Sequence, residues 1–145
     1  MATVTLCGSG KRRAEIFEAA RLLRDVGAVV LAPPLHNITE LVGAQPTECL
    51  ELAWKGATFA HLNRIEKADV VFIVNPDGYV GPSTTLELGY AVALRKLVVA
   101  MRADTGEPAR HVLFDIVLDK DNVVDACKDL VSQVAHIGGH DRFQD

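Results

Sequence analysis

Ala68-Asp-Val-Val-Phe-Ile-Val-Asn-Pro-Asp-Gly-Tyr-Val-Gly-Pro-Ser-Thr-Thr-Leu-Glu-Leu-Gly-Tyr-Ala-Val-Ala-Leu-Arg-Lys96 joins an apolar run, residues 70–74, through a turn-rich loop to an amphipathic helical pattern. A short, uninterrupted run of Val, Ile and Phe fits a strand buried on both faces, and a helix following it directly is half of a βαβ unit. That junction sets loop side chains and the free N–H groups of a helix start at the carboxyl edge of a parallel sheet. Open α/β sheets bind ligands there. Glu87 lies one turn into the helix, so its carboxylate is expected to face whatever the loop holds.

Outward from this stretch, strand and helix signals alternate. Residues 3–7 read as a buried strand, Gly8-Ser9-Gly10 as a turn, and 12–26 as a helix with Ile16, Ala19, Ala20 and Leu23 on one face, stopped by Gly27. Residues 28–32 form a second apolar strand closed by Pro33-Pro34. The stretch from 35 to about 46 is long and irregular, the character of a lid or binding loop. Residues 47–67 are mostly helical with an interruption expected near Gly56, and they deliver the third strand, 69–74. A helix at 83–95 and a strand at 97–101 follow. Residues 102–110 read as loop, 112–118 as a fifth strand or a short helix plus strand, and 122–135 as a closing helix. The end, about 136–145 with Gly138-Gly139, reads as a flexible tail. Strands alternating with helices imply right-handed crossovers and a parallel sheet covered on both faces.

The 145 residues are 49% hydrophobic and 23% charged without a low-complexity tract, so 1–145 is expected to be one domain with a proper core. A net charge of −4 argues against a nucleic-acid surface, whose Lys/Arg stripe is absent apart from Lys11-Arg12-Arg13. Cys7, Cys49 and Cys127 are odd in number and widely spaced, so neither a disulfide scaffold nor a zinc site is expected. No leader and no run of membrane-spanning length is read, and a reduced, cytoplasmic location is the expectation.

Several residues have candidate roles. Gly8-Ser9-Gly10 sits between the first strand and helix, where backbone N–H groups commonly hold a phosphate. The dinucleotide fingerprint would need glycine at Arg13 and the P-loop a hydroxyl at Arg12, so the alternative is an ordinary turn. Three cations in the first helical turn oppose the helix dipole, which favours an anion docking there. Thr84-Thr-Leu-Glu87 fits a capping box, which competes with a catalytic carboxylate as the account of Glu87. His61 lies eight residues ahead of Asp69 on a helix that ends near the same sheet edge, and a packed residue is its bland reading. Asp77 is a ligand-contact candidate against simple turn formation by Asp77-Gly78, Asp69 reads as a turn residue, and His36 has a weak claim. Trp54 and Tyr79 are placed to stack on a base, with core packing as the alternative for Trp54.

Ala68-Asp69-Val-Val, the following loop and Thr84-x-x-Glu87-Leu-Gly-Tyr-Ala-x-Ala-Leu-x-Lys96 resemble the nucleoside 2-deoxyribosyltransferase superfamily, which includes 2'-deoxynucleoside 5'-phosphate N-hydrolases and CMP-type N-glycosidases. Leu6-Cys7-Gly8-Ser9 resembles the Cys-Gly-Ser of the nucleotide hydrolases, where the next loop receives the 5'-phosphate. The likeness covers about residues 3–101. It implies a flavodoxin-like three-layer α/β sandwich with a parallel five-stranded sheet, a homodimer, and no metal or organic cofactor. Glu87 then corresponds to the nucleophilic glutamate, and Gly8 with Ser9 to the sugar-phosphate loop. Two positions depart from the pattern. Gly81 stands where the transferases carry an aspartate six residues before the glutamate, and His61 stands where the family tends to carry an aspartate.

The expected activity is cleavage of an N-glycosidic bond, with Glu87 bonding to or stabilising a cationic anomeric carbon and His61 or Asp77 handling the departing base's proton. Ser9, Gly8, Gly10 and Ser83 or Thr84 would hold a 5'-phosphate or sugar hydroxyls. Hydrolysis of a 5'-phosphorylated substrate is preferred over transfer. The rivals are a non-catalytic nucleotide-binding module and a phosphoribohydrolase of the cytokinin-activating type, whose Pro-Gly-Gly-x-Gly-Thr is missing from Gly81-Pro-Ser-Thr-Thr.

Overall fold

The structure, a computed structural model, describes residues 2–33, 40, 43 and 46–137. Five strands, β1 (Thr3–Cys7), β2 (Val29–Leu31), β3 (Val70–Ile73), β4 (Leu97–Ala100) and β5 (Ile116–Val117), form one sheet in the order β2-β1-β3-β4-β5. Every pairing is parallel, with Val4 opposite both Val30 and Val70, and Phe72 opposite both Leu6 and Val99. This is the expected flavodoxin-like arrangement.

Among the described residues five α-helices flank the sheet: α1 (Arg13–Asp25), α2 (Thr47–Lys67), α3 (Pro82–Ala93), the short α4 (Pro108–His111) and α5 (Val123–Ile137). Side chains alternate across each strand, so the sheet divides its apolar residues between two layers. Val4, Leu6, Val70, Phe72 and Val99 pack with Ile16, Ala19, Ala20 and Leu23 of α1 and with Ala126, Cys127 and Leu130 of α5. Cys7, Val71, Ile73, Val98 and Ala100 pack with Ile65 of α2 and with Leu88 and Ala91 of α3. Full burial of each such large side chain contributes roughly 1.5–3 kcal/mol. The parity of β1 therefore turns Cys7 toward α2 and α3.

Three expectations change in detail. α2 runs unbroken through Gly56, which is exposed and borders open space, so that glycine costs only its propensity, about 1 kcal/mol. The 102–110 loop ends in α4, capped by the Glu107 side chain accepting from the Ala109 N–H at 2.9 Å. α3 begins at Pro82 and stops at Ala93, two residues before Arg95, whose φ of 57° turns the chain into β4. The irregular stretch at 35–46 lies almost wholly outside the described residues, as do His36, His140 and the tail from 138 onward.

Candidate active site

Three elements converge where the carboxyl ends of β1 and β3 meet α2 and α3. Glu87 is the sixth residue of α3, whose N-cap is Gly81 with no side-chain cap. Thr84 is thus the third helical residue rather than the cap, and the capping-box reading of Thr84 and Glu87 does not apply. The Glu87 carboxylate instead faces inward: its Oε2 lies 3.6 Å from His61 Nε2, with the side chain 20% exposed.

His61 is buried, one of only two buried residues that α2 contributes, the other being Ile65 one turn later on the same face. Its Nε2 also lies 3.3 Å from Cys7 Sγ, and the ring tautomer decides which of these atoms donates. Its Nδ1 is buried without a hydrogen-bond partner. Burial first, and then the charge and hydrogen bonding of Glu87, push the Cys7 thiol well up, so Cys7 is a protonated neighbour and not a nucleophile.

The first loop approaches from the side of β1. A Cβ on Gly8 would stand 3.0 Å from both Ile16 Cδ1 and the Val74 carbonyl oxygen, so a side chain here would have to push its neighbours aside by a few tenths of an ångström. Ser9 caps the 3-10 turn Gly10–Arg12, its Oγ accepting from the Lys11 N–H at 3.3 Å. Gly10 is exposed, with open space at its Cβ position. Ser83 is exposed in the first turn of α3, where backbone N–H groups lack helical acceptors. Thr84 is buried, and its Oγ1 has no partner.

Asp77 does not join Glu87. Its carboxylate accepts from the Arg12 guanidinium and, at 3.2 Å, from the Tyr79 N–H. Burial alone would raise the Asp77 carboxyl, but these hydrogen bonds and the Arg12 charge outweigh it and hold it below the usual range. A carboxylate kept ionised in this way is a poor proton donor. The same pair alters the reading of the basic run, since Asp77 and Glu15, the latter 3.6 Å away, already answer the charge of Arg12. Lys11 lies 5.2 Å over the ring of Tyr79, which is exposed beside the loop.

Other residues hold the walls, and sequence reasoning missed most of them. Asn75, fully buried, donates to the Arg102 carbonyl at 2.8 Å and accepts from its N–H at 3.1 Å, tying the ends of β3 and β4. Asp104, its side chain enclosed, accepts from Arg110, Gly106 and Glu107, while Arg110 donates to Thr85 Oγ1 at 3.0 Å. Burial would raise the Asp104 carboxyl, but Arg110 and the two N–H groups hold it down. Only the pairing of an Asp and an Arg six residues apart across a Gly-Glu-Pro turn hinted at this clip. Asp69 accepts from the Thr3 N–H at 2.8 Å and anchors the start of β1. Trp54 is exposed rather than core.

Asp104 and Asp77 both have folded-state values below their unfolded ones. The stability they supply is therefore full above about pH 4 and is lost as pH falls through the lowered values. Asp104→Asn is expected to cost about 1–3 kcal/mol at neutral pH and to flatten the fall in melting temperature between about pH 5 and pH 2. Thermal melts across that range check both.

A depression of about 440 Å³ lined by Arg95, Lys96, Leu97 and Asp115 lies at the opposite, amino-terminal end of β4 and shares no residue with this site. Among the described residues no helix is long and apolar enough to cross a membrane.

No protein-family model matches the sequence, and comparison with curated proteins finds no significant match. Solved structures do match. The fold aligns with a 2-deoxyribosyltransferase from Bacillus psychrosaccharolyticus at a TM-score of 0.53 and 25% identity, over 73% of this chain and 75% of that one. It aligns with the CMP N-glycosidase BcmB of Clostridium botulinum at a TM-score of 0.55 and 16% identity, over 90% and 98% of the two chains.

Proposed function

We propose that this chain, similar in fold to a 2-deoxyribosyltransferase and to a CMP N-glycosidase, cleaves the N-glycosidic bond of a nucleoside or nucleoside 5'-monophosphate. The observation that supports this reading is the Glu87 carboxylate, not spent on a helix cap, part-exposed at the carboxyl edge of the sheet, with buried His61 beside it. The carboxylate bonds to, or stabilises, the anomeric carbon as the bond to the base nitrogen breaks and its electron pair leaves with the base. His61 carries the proton that the departing base takes up, a role for which Asp77, tied to Arg12, is the poorer candidate. Water then releases the sugar. A panel of nucleosides and nucleotides assayed for free base tests the reading, and no release from any of them defeats it.

A 5'-phosphorylated substrate fits best, because Ser9, the backbone of Gly8 and Gly10, and the N–H groups at Ser83 and Thr84 offer hydrogen-bond donors at the starts of two helical segments, with Lys11 following Gly10 in the chain. Nucleoside monophosphates are expected to bind roughly tenfold tighter than their nucleosides at low salt, with the margin shrinking at high salt and on Ser9→Ala. A Cβ on Gly81 would meet only the Tyr79 side chain at 3.5 Å or more and Ser9 Oγ at 3.8 Å. Gly81→Asp therefore fits sterically, and its negative charge beside the phosphate is expected to erase the preference for monophosphates. Equal calorimetric affinities of wild-type protein for a nucleoside and its 5'-phosphate would favour transferase chemistry instead.

The same reading includes a homodimer. On α2, Leu52 (68% exposed), Trp54 (46%) and Phe59 (61%), and on neighbouring α3, Leu86 (73%), leave large apolar side chains in solvent. A second copy of this chain is the occupant that the family resemblance supplies. Leu52→Asp with Phe59→Asp is expected to convert a dimer to monomer by light scattering and to lower base release with it. An already monomeric wild-type protein would remove the dimer from the account.

A further inference from the structure

Cys7, His61 and Glu87 reach one point from three elements, the end of β1, the middle of α2 and the second turn of α3. Each offers one metal-ligand atom, and the three atoms lie within 4.8 Å of one another. Sγ to Nε2 is 3.3 Å, and Nε2 to Oε2 is 3.6 Å. An ion held tetrahedrally by S, N and O at zinc's bond lengths requires donor separations of about 3.3–3.6 Å. Two of the three separations already stand in or at the edge of that range, and Glu87 is the part-exposed member of the trio that can adjust.

Charge supports the same conclusion. Among the described residues no Lys or Arg makes an ion pair with Glu87. A thiol, an imidazole and a carboxylate thus converge without a fixed positive charge. A thiol and imidazole select a borderline or soft divalent ion over Mg²⁺ or Ca²⁺, which take oxygen ligands.

We propose that Cys7 Sγ, His61 Nε2 and the Glu87 carboxylate bind Zn²⁺ or a similar divalent transition ion, and that the bound ion takes Glu87 out of reaction. On binding, the metal–sulfur bond forms as the S–H bond breaks and its proton passes to the buffer. His61 Nδ1 has no acceptor to orient the ring. Metal enzymes supply that second contact, so this site holds its ion less firmly and yields it to a chelator. The blocking effect rests on the proposed glycosidase role of Glu87, whereas the binding does not.

Cobalt tests the binding directly. The exposed Cys49 is first replaced by serine, and Co²⁺ is titrated into the otherwise intact chain. A near-ultraviolet thiolate-to-cobalt band with tetrahedral visible absorption is expected, reversed by Zn²⁺ and by chelator. Cys7→Ser should abolish the thiolate band, and His61→Ala should weaken affinity by roughly 100-fold or more. Glu87→Gln, which keeps the side chain's shape, should weaken it at least tenfold, and it answers for the site if the Cys7 variant does not fold. No band, or a band surviving Cys7→Ser, overturns the proposal. One equivalent of Zn²⁺ should also suppress base release by wild-type protein, with recovery on chelation; full activity with the site loaded overturns the blocking. Metal-free protein that releases no base defeats the glycosidase reading while the cobalt band is still expected, so the two failures are distinguishable.

Discussion

Glu87→Gln is expected to abolish base release, by a factor on the order of 10⁴ or more, while leaving the melting temperature nearly unchanged. The amide keeps the volume and a hydrogen-bonding oxygen beside His61, but it lacks the charge and nucleophilicity that an anomeric cation demands. Because Glu87 is the sixth residue of α3 and caps nothing, the substitution removes no N-terminal contact of that helix. Rate and melting temperature measured on the same preparation decide the matter. A variant that still releases base at the wild-type rate would remove Glu87 from the mechanism, and one that simply unfolds at lower temperature would give it a structural role.

His61→Ala is expected to have the second-largest effect, roughly 10²–10⁴-fold, the range of a lost proton-transfer group. Its residual rate should depend on the base's ability to leave unprotonated, so substrates with good leaving groups lose least. His61→Gln separates this from positioning. Glutamine can still hydrogen-bond Glu87 but cannot hand on a proton as an imidazole does, so it should restore stability without restoring the rate. Burial among Ile65, Cys7 and Glu87 means that alanine also leaves a cavity, and the stability cost by itself says nothing of chemistry. A variant that keeps the wild-type rate would pass the proton role to Asp77 or to a partner subunit.

The alternation of apolar strands and helices was legible because it rests on local signals. Residues 70–74 are too apolar and β-branched for a surface element, Gly27 stops α1, and the face of Ile16, Ala19, Ala20 and Leu23 is the buried one. Boundaries were less legible. The helix at 47–67 was expected to break at Gly56, yet an exposed glycine alone cannot offset the hydrogen bonds on either side of it. Thr84-x-x-Glu87 matched a capping box letter by letter. With proline at the first helical position the N-cap is Gly81, three residues before Thr84, which makes the match accidental.

What the sequence determined by itself was the layered α/β class, the five parallel strands and the loop-to-helix junction carrying Glu87, because hydrophobic period and turn chemistry are properties of neighbouring residues. What only the tertiary structure decided was which distant groups meet. Cys7 and His61 lie 54 residues apart, and no spacing rule pairs them. Strand parity turns Cys7 to the α2 side of the sheet, the helical face shared with Ile65 turns His61 inward, and packing of α2 against α3 delivers Glu87 between them. Pairing of β1 with β3 brings the loops after them together and ties Asp77 to Arg12, so that no cation is paired with Glu87 among the described residues. Coulomb interactions and burial depend on separations in space, which the folded sheet and its two helical layers alone set.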